Sequence, residues 1–265
     1  MRNFFTRTIP SVMLCTHLYK SSLAFVPKCN PVKTEDVMKL REFINKHHQL
    51  CILTGAGIST ESGIPDYRSA EVGLYARSDR RPVLYKEFCD SERTRRRYWA
   101  RNFVGWPRFS SLKPNVTHIV LQDLEYLEKE LNPSMIATTQ MIRPDGDVEL
   151  SQEQVEGFNV PACGNCGGVL KPDIVFFGDN VPHDIVQNVK ANVENLDALL
   201  ILGTSLSTFS AYRIVLQAIN ANKPIAIINI GKTRADELVN LKVEGRCGDI
   251  LPKVWQCQIP NSLMR

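Results

Sequence analysis

Residues 50–68 read LCILTGAGISTESGIPDYR, an apolar pentapeptide that runs into a glycine-rich turn. Leu50–Thr54 has the length and continuity of a strand buried in a parallel sheet, and Gly55 ends it. The glycine-rich residues after it are expected to open a helix. Glycines at such a turn let the main chain approach a ligand closely, and the free N–H groups of a helix N-terminus attract a diphosphate. A glycine pair alone is weak evidence, because close-packed glycines often make nothing more than a tight turn. The stretch also departs from the usual dinucleotide fingerprint, since no acidic residue closes a second strand about 20 residues further on. A dehydrogenase, or any redox enzyme on a doubly wound fold, is disfavoured for that reason.

On either side of this stretch helices and strands alternate. Thr34 is placed to cap a helix whose first turn holds Glu35 and Asp36 and whose last holds Lys46, His47 and His48, matching the macrodipole. Val37, Leu40, Phe43 and Ile44 share one face of it. Residues 115–131 form a second amphipathic helix with Val116, Ile119, Val120, Leu124, Leu127 and Leu131 inward, and 135–139 reads as a strand. Further strand-like runs lie at 174–177, 198–202 and 225–230, with helices at 183–195, 210–221 and 234–241. Strands separated by helices imply right-handed crossovers and a parallel sheet covered on both faces, a Rossmann-like α/β fold. Residues 141–168, MIRPDGDVELSQEQVEGFNVPACGNCGG, are polar, rich in Gly and Pro and without apolar period, and read as a loop or small module.

A chain of 265 residues with 43% hydrophobic and 23% charged residues can bury one sizeable core. No apolar run nears the ~20 residues that span a bilayer. The formal charge of +4 raises the question of nucleic acid, but its location answers it. Residues 1–34 contain Arg2, Arg7, Lys20, Lys28, Lys33 and no acid, so the remainder of the chain carries −1. The opening MRNFFTRTIPSVMLCTHLYKSS mixes basic, hydroxyl and apolar residues without a continuous apolar core, as mitochondrial transit peptides do. The expected division is a transit peptide over 1–30, a folded body over 31–258 and a tail over 259–265. Of eight cysteines only Cys163 and Cys166 are closely paired, which favours metal or redox use over a disulfide framework.

The fourteen residues Gly55–Arg68 resemble the first signature of the sirtuins, the NAD-dependent protein deacylases, almost residue for residue. Other matches come in order along the chain. Gly203, Thr204 and Ser205 resemble the family's second glycine/serine turn at the adenosine ribose, and Asn229, Ile230 and Gly231 resemble its ribose-binding Asn segment. Cys247, in GRCGDILP, stands where the family contacts adenine, and Gly168–Asp179 resembles the segment that pairs as an extra strand with the substrate peptide. YRSAEVGLYARSDRRP and RRRYWARNFVGWPRFSS narrow the resemblance to the mitochondrial sirtuin-4 subgroup.

The resemblance implies NAD as cofactor and acylated lysines of mitochondrial matrix proteins as partners. Its implied reactions are removal of an acyl group, lipoyl included, or ADP-ribosyl transfer. It places Gly55, Ala56, Gly57, Ile58, Ser59, Ile64, Pro65, Asp66, Tyr67, Arg68 and Gln140 at the cofactor, with Asp66 and Arg68 shaping the nicotinamide pocket. The cofactor-binding part is expected over 31–140 and 168–258, with the remnant of a small zinc-ribbon module over 141–167.

Two departures stand out. In the family a Thr-Gln-Asn-Val-Asp run leads to a His-Gly pair that holds the general base; here Thr139-Gln140 runs into Met141-Ile142-Arg143-Pro144-Asp145. His17, His47, His48, His118 and His183 are the histidines of the chain, and none has that context, so no catalytic residue is assigned. The same jump removes a cysteine pair. The zinc implied by the family keeps Cys163 and Cys166 where a structural site wants four ligands. Arg77–Arg101 holds nine Lys/Arg near Tyr98, Trp99, Phe103 and Trp106, read as a solvated helix face with a buried aromatic side rather than a nucleic-acid surface. Reception of an acidic acyl group by these bases is a further hypothesis. The competing overall readings are an active deacylase in shortened form and a catalytically silent NAD-binding or adaptor protein.

Overall fold

The computed structural model describes residues 23–79, 81–124, 150–160 and 162–255. The expected strand at 135–139, the outer part of the helix expected to reach 131, Gln140 and the 141–145 junction lie outside the described residues. In chain order the elements are α1 (Thr34–Lys46), β1 (Leu50–Thr54), α2 (Leu74–Arg77), α3 (Tyr85–Asp90), α4 (Glu92–Ser111) and α5 (Val116–Leu124). Then come α6 (Gln152–Glu156), α7 (His183–Asn195), β2 (Ala198–Leu202), α8 (Phe209–Asn220), β3 (Ile225–Asn229), β4 (Leu241–Glu244) and α9 (Cys247–Val254).

The four described strands are all parallel and lie in the order β1-β2-β3-β4. Alternation along them sorts the core into two layers. Leu200, Leu202, Ala226, Ile228 and Val243 face one side and pack with Val37 and Leu40 of α1, Val120 of α5, and Ile250, Leu251 and Val254 of α9. Leu199, Ile201, Ile225 and Ile227 face the other and pack with Val193 of α7 and Val215 and Ala218 of α8. All five residues of β2 and of β3 are buried, the signature of central strands covered on both faces. The Rossmann-like reading of the fold stands.

Several local expectations need correction. Thr34 is the first residue of α1 and does not cap it; Lys33 holds the cap position without a side-chain bond. His47 ends the helix with its Nδ1 2.6 Å from the Phe43 carbonyl oxygen, and His48 lies beyond. β1 is half-buried rather than buried, because it is an edge of the described sheet. Residues 174–177 form no strand. Phe177 makes one isolated bridge to Leu84, and Ile174 and Val175 are about half exposed, so the pairing does not extend along the segment.

The helix expected at 234–241 is a 3-10 turn, Asp236–Leu238, followed by β4. Asp236 holds this turn: its carboxylate accepts from the Thr233 N–H and hydroxyl and pairs with Lys242 at 2.6 Å. α9 has no counterpart among the expected helices because Gly248 and Pro252 interrupt it, yet Cys247, Ile250, Leu251 and Val254 all bury on one face. On α4, Phe103 and Trp106 are 69% and 59% exposed, so its aromatic side is not buried as expected. Tyr98 does turn inward, edge-on to the buried Phe88 at 5.4 Å. The folded body also begins before residue 31: Leu23–Phe25 form a 3-10 turn, and Phe25 and Val26 are buried. Among the described residues no helix is long and apolar enough to cross a membrane.

Candidate functional site

Because the four described strands are parallel, their carboxyl ends meet at one edge of the sheet: Thr54 pairs with Leu202, and Asn229 with Glu244. This is the edge where open α/β sheets bind ligands. Gly55 leaves β1 and enters a 3-10 turn, Ala56–Ser62, rather than an α-helix. Gly203 leaves β2 with φ +56°, in the region that favours glycine.

The two turns are laced together. The Gly55 N–H donates to the Leu202 carbonyl at 2.9 Å and the Gly57 N–H to the Gly203 carbonyl at 2.8 Å. Contact is so close that a Cβ on Gly55 would lie 2.4 Å from the Thr204 Cβ, and one on Gly57 2.6 Å from the Gly203 oxygen. Glycine is required here by main-chain approach. The Gly55, Gly57 and Ile58 N–H groups are spent on protein carbonyls, so what the lacing offers a ligand is close main-chain approach.

The remaining expected residues divide into two groups. Gly57, Asp66, Gly203, Asn229, Ile230 and Cys247 line one cavity. Asn229 is buried at the end of β3, and its Nδ2 donates to the Ile230 carbonyl at 2.9 Å, fixing the turn that ends in Gly231 at φ +78°. The Asp66 carboxylate accepts the Ser69 N–H at 2.9 Å and so orders its own loop. Ser205 pairs with Ser207 at 2.9 Å and Thr204 accepts the Leu206 N–H at 3.1 Å, and neither is among the walls of that cavity. Ile64, Pro65 and Tyr67 instead line a neighbouring groove of about 520 Å³. Arg68 is exposed, its guanidinium 5.4 Å from the Tyr75 ring centre. Gln140 lies outside the described residues.

Cys247 is the first residue of α9, buried against the Ile228 carbonyl. Burial pushes its thiol up to about 12, and the Glu61 carboxylate adds to the shift, so it acts as a neutral packing group. Sequence reasoning missed Thr60, Glu61, Ser69, Gly245 and Arg246, which also line the cavity. Glu61 could have been noticed as the one charged residue inside GAGISTESGIP. Its carboxylate accepts the Gly248 N–H at 3.1 Å, joining the glycine turn to the start of α9, and burial raises its pKa.

His118 has a comparable joining role. Its Nδ1 accepts the Asn115 N–H at 3.2 Å, which leaves Nε2–H to donate to the Ser59 hydroxyl at 3.3 Å. Burial lowers its pKa, in keeping with a neutral ring that ties α5 to the turn.

Cys163 and Cys166 sit on a tight turn, with the Gly167 N–H donating to the Cys163 carbonyl at 2.8 Å. Among the described residues no three His, Cys, Asp or Glu side chains gather into a metal-binding group. Two thiols fall short of the tetrahedral set that structural zinc requires.

The large groove runs between α4 and residues 174–177, and Arg81, Arg97, Arg101 and Arg108 are among its walls. Of the nine bases between Arg77 and Arg101, Arg95 donates to the Phe88 and Cys89 carbonyls, and Arg96 pairs with Glu92 at 2.8 Å.

The Sir2 family profile matches the chain over residues 55–145 and 134–210. The chain is 43% identical over 289 residues to NAD-dependent protein deacylase Sirt4 of Drosophila melanogaster, covering 90% of this chain and 93% of that protein. It is 44% identical over 283 residues to the NAD-dependent protein lipoamidase sirtuin-4, mitochondrial, of Homo sapiens, covering 88% and 90%. Among solved structures it is similar to a Sir2 bound to acetylated peptide, with TM-score 0.62 and 23% identity over 83% of this chain and 97% of that one. The Drosophila alignment is 289 residues long, yet 90% of 265 residues is about 239. About 50 residues of that relative therefore face no residue here.

Proposed function

The chain belongs to the Sir2 family, and from that premise we propose that it is an NAD-dependent protein-lysine deacylase of the sirtuin-4 type that binds NAD where the two glycine turns meet. The single observation that carries the reading is the lacing of Gly55 and Gly57 to Leu202 and Gly203, with Asn229 and Cys247 on the next two segments of the same edge. When bound, NAD supplies an acceptor for the acyl group and nicotinamide as leaving group. The protein's part is to hold it: main-chain N–H groups past Thr54 for the diphosphate, the Asn229 turn for a ribose, and the Asp66 loop as a wall on the reacting side.

Turnover is the part of that activity that this form of the chain is expected to lack. None of the five histidines has the sequence context of the family's general base, and the resemblance places that base among the residues of the relative that face none here. ADP-ribosyl transfer is limited in the same way. A catalytically silent NAD-binding or adaptor protein is the second reading, and the missing segment is what favours it. Zinc has two donors, Cys163 and Cys166, among the described residues, so no step is routed through it. The acid-free leader and the mitochondrial designation of the human relative support a mitochondrial, matrix location. Acylated lysines of proteins there are the proposed partners, with no nucleic acid.

Calorimetric titration of the purified chain with NAD tests the reading, the expected result being one site with a Kd on the order of micromolar to millimolar. A folded chain with no heat of binding would reject it.

The four arginines along the large groove favour an acidic acyl group on the incoming lysine. An Arg97→Ala chain is expected to lose about tenfold affinity for a succinyl-lysine peptide and little for an acetyl-lysine peptide. Equal losses on both peptides would reject the acidic acyl group.

A further inference from the structure

The cleft between the glycine turns and Asn229 is narrow, about 30 Å³, so a dinucleotide seated in it would lie directly against its walls. Most of its walls are tied to the sheet. Gly57 and Gly203 are bonded to each other, Asn229 ends a central strand, and Glu61 is bonded to the first turn of α9. Val26 and Pro27 form a wall of another kind. They belong to the segment that composition assigns to the leader. The hydrogen bond described for that segment, from the Val26 N–H to the Leu23 carbonyl at 3.1 Å, is internal to it. What fastens it to the body is packing: Leu23–Phe25 lies against the Ala56–Ser62 turn, and Phe25 is 3% exposed with the Arg77 guanidinium 4.9 Å from its ring centre.

We infer that Val26 and Pro27 are cofactor-site residues, forming a movable outer wall of the dinucleotide cleft that the buried Phe25 anchors. Apolar packing of this kind releases and re-forms without breaking the sheet's hydrogen bonds, whereas opening the laced glycine turns would leave main-chain groups unpaired. Closure over bound dinucleotide holds it and buttresses the Ala56–Ser62 turn against which Leu23–Phe25 lies. The wall also sets a limit on processing. Cleavage at residue 30 would take Val26 and Pro27 away with the leader.

The inference rests on the reading of this cleft as the NAD site, and the experiment separates the two. The full chain, a Val26→Gly/Pro27→Gly chain and an Arg77→Ala chain are compared for the dissociation rate of an etheno-adenine analogue of NAD by stopped flow, with thermal melting alongside. Loss of the wall is expected to raise the dissociation rate about tenfold in the double variant. Loss of the cation over the Phe25 ring should raise it roughly threefold in Arg77→Ala, with the melting temperature nearly unchanged. Rates within twofold of the parent in both variants would overturn the inference. Should the double variant fail to fold, the Arg77→Ala rate decides alone. Absence of binding in the parent chain would instead sink the NAD reading.

Discussion

A Gly57→Ala chain is expected to lose NAD affinity by about 100-fold, equivalent to about 2.7 kcal/mol. The added Cβ would lie 2.6 Å from the Gly203 oxygen, 2.9 Å from its carbonyl carbon and 3.0 Å from its Cα. All three are main-chain atoms at the end of a fully buried strand, so no side chain can swing aside. The turn must lift away, and the 2.8 Å bond from the Gly57 N–H to the Gly203 carbonyl goes with it. Overpacking costs about 1–3 kcal/mol and the lost hydrogen bond about 1 kcal/mol more. At about 2–4 °C per kcal/mol for a chain of this size, the melting temperature should drop by several degrees. Gly164→Ala is the control, since a Cβ there meets nothing within 4 Å, and it should melt and bind as the parent does. Calorimetry on the two variants checks this. A Gly57→Ala affinity within threefold of the parent would show that the turn does not grip the ligand.

The larger effect concerns turnover. With NAD and an acyl-lysine peptide, the chain as it stands is expected to release nicotinamide at background rate. Insertion between Gln140 and Met141 of the family stretch that holds the His-Gly pair should raise release by about 10²–10⁴-fold, the usual worth of a positioned general base. NAD affinity should change far less, because the glycine turns, Asn229 and Cys247 are already in place. Release is read by coupled assay or chromatography of nicotinamide. Robust release from the uninserted chain, surviving substitution of each of its five histidines in turn, would show that catalysis here needs no such base.

Periodicity carried the central layers of the fold well. β2, β3 and α7 are long enough and apolar enough on the buried face for their pattern to locate them, and α7 ends where its pattern does. The glycine turns were legible for a different reason: only glycine tolerates such approach, so the residue type reports the contact. The outer elements were harder. β4 has four residues, and LKVE preceded by DEL reads as helix until a parallel neighbour supplies the hydrogen bonds. α9 hid behind Gly248 and Pro252, which break the pattern although the buried face continues.

Within the site, Glu61 and Arg246 escaped because their partners, Gly248 and Asp249, matter only once α9 has been placed beside the turn. Val26 and Pro27 escaped because the absence of acids assigned them to a leader, and composition says nothing of where a leader stops. Ile64, Pro65 and Tyr67 are adjacent in sequence to Asp66 yet line the neighbouring groove, since the chain turns between the two cavities. Adjacency in a motif therefore did not imply a shared pocket.

Binding at this edge of the sheet means that the dinucleotide covers a particular set of main-chain N–H groups. Hydrogen–deuterium exchange of the intact chain with and without saturating NAD measures that coverage residue by residue. Protection is expected in peptides spanning Gly55–Ser59, Gly203–Ser205 and Asn229–Gly231, with α7 and α8 unchanged. Saturation that left those three turns exchanging as before, or slowed exchange only around α4 and residues 174–177, would contradict it.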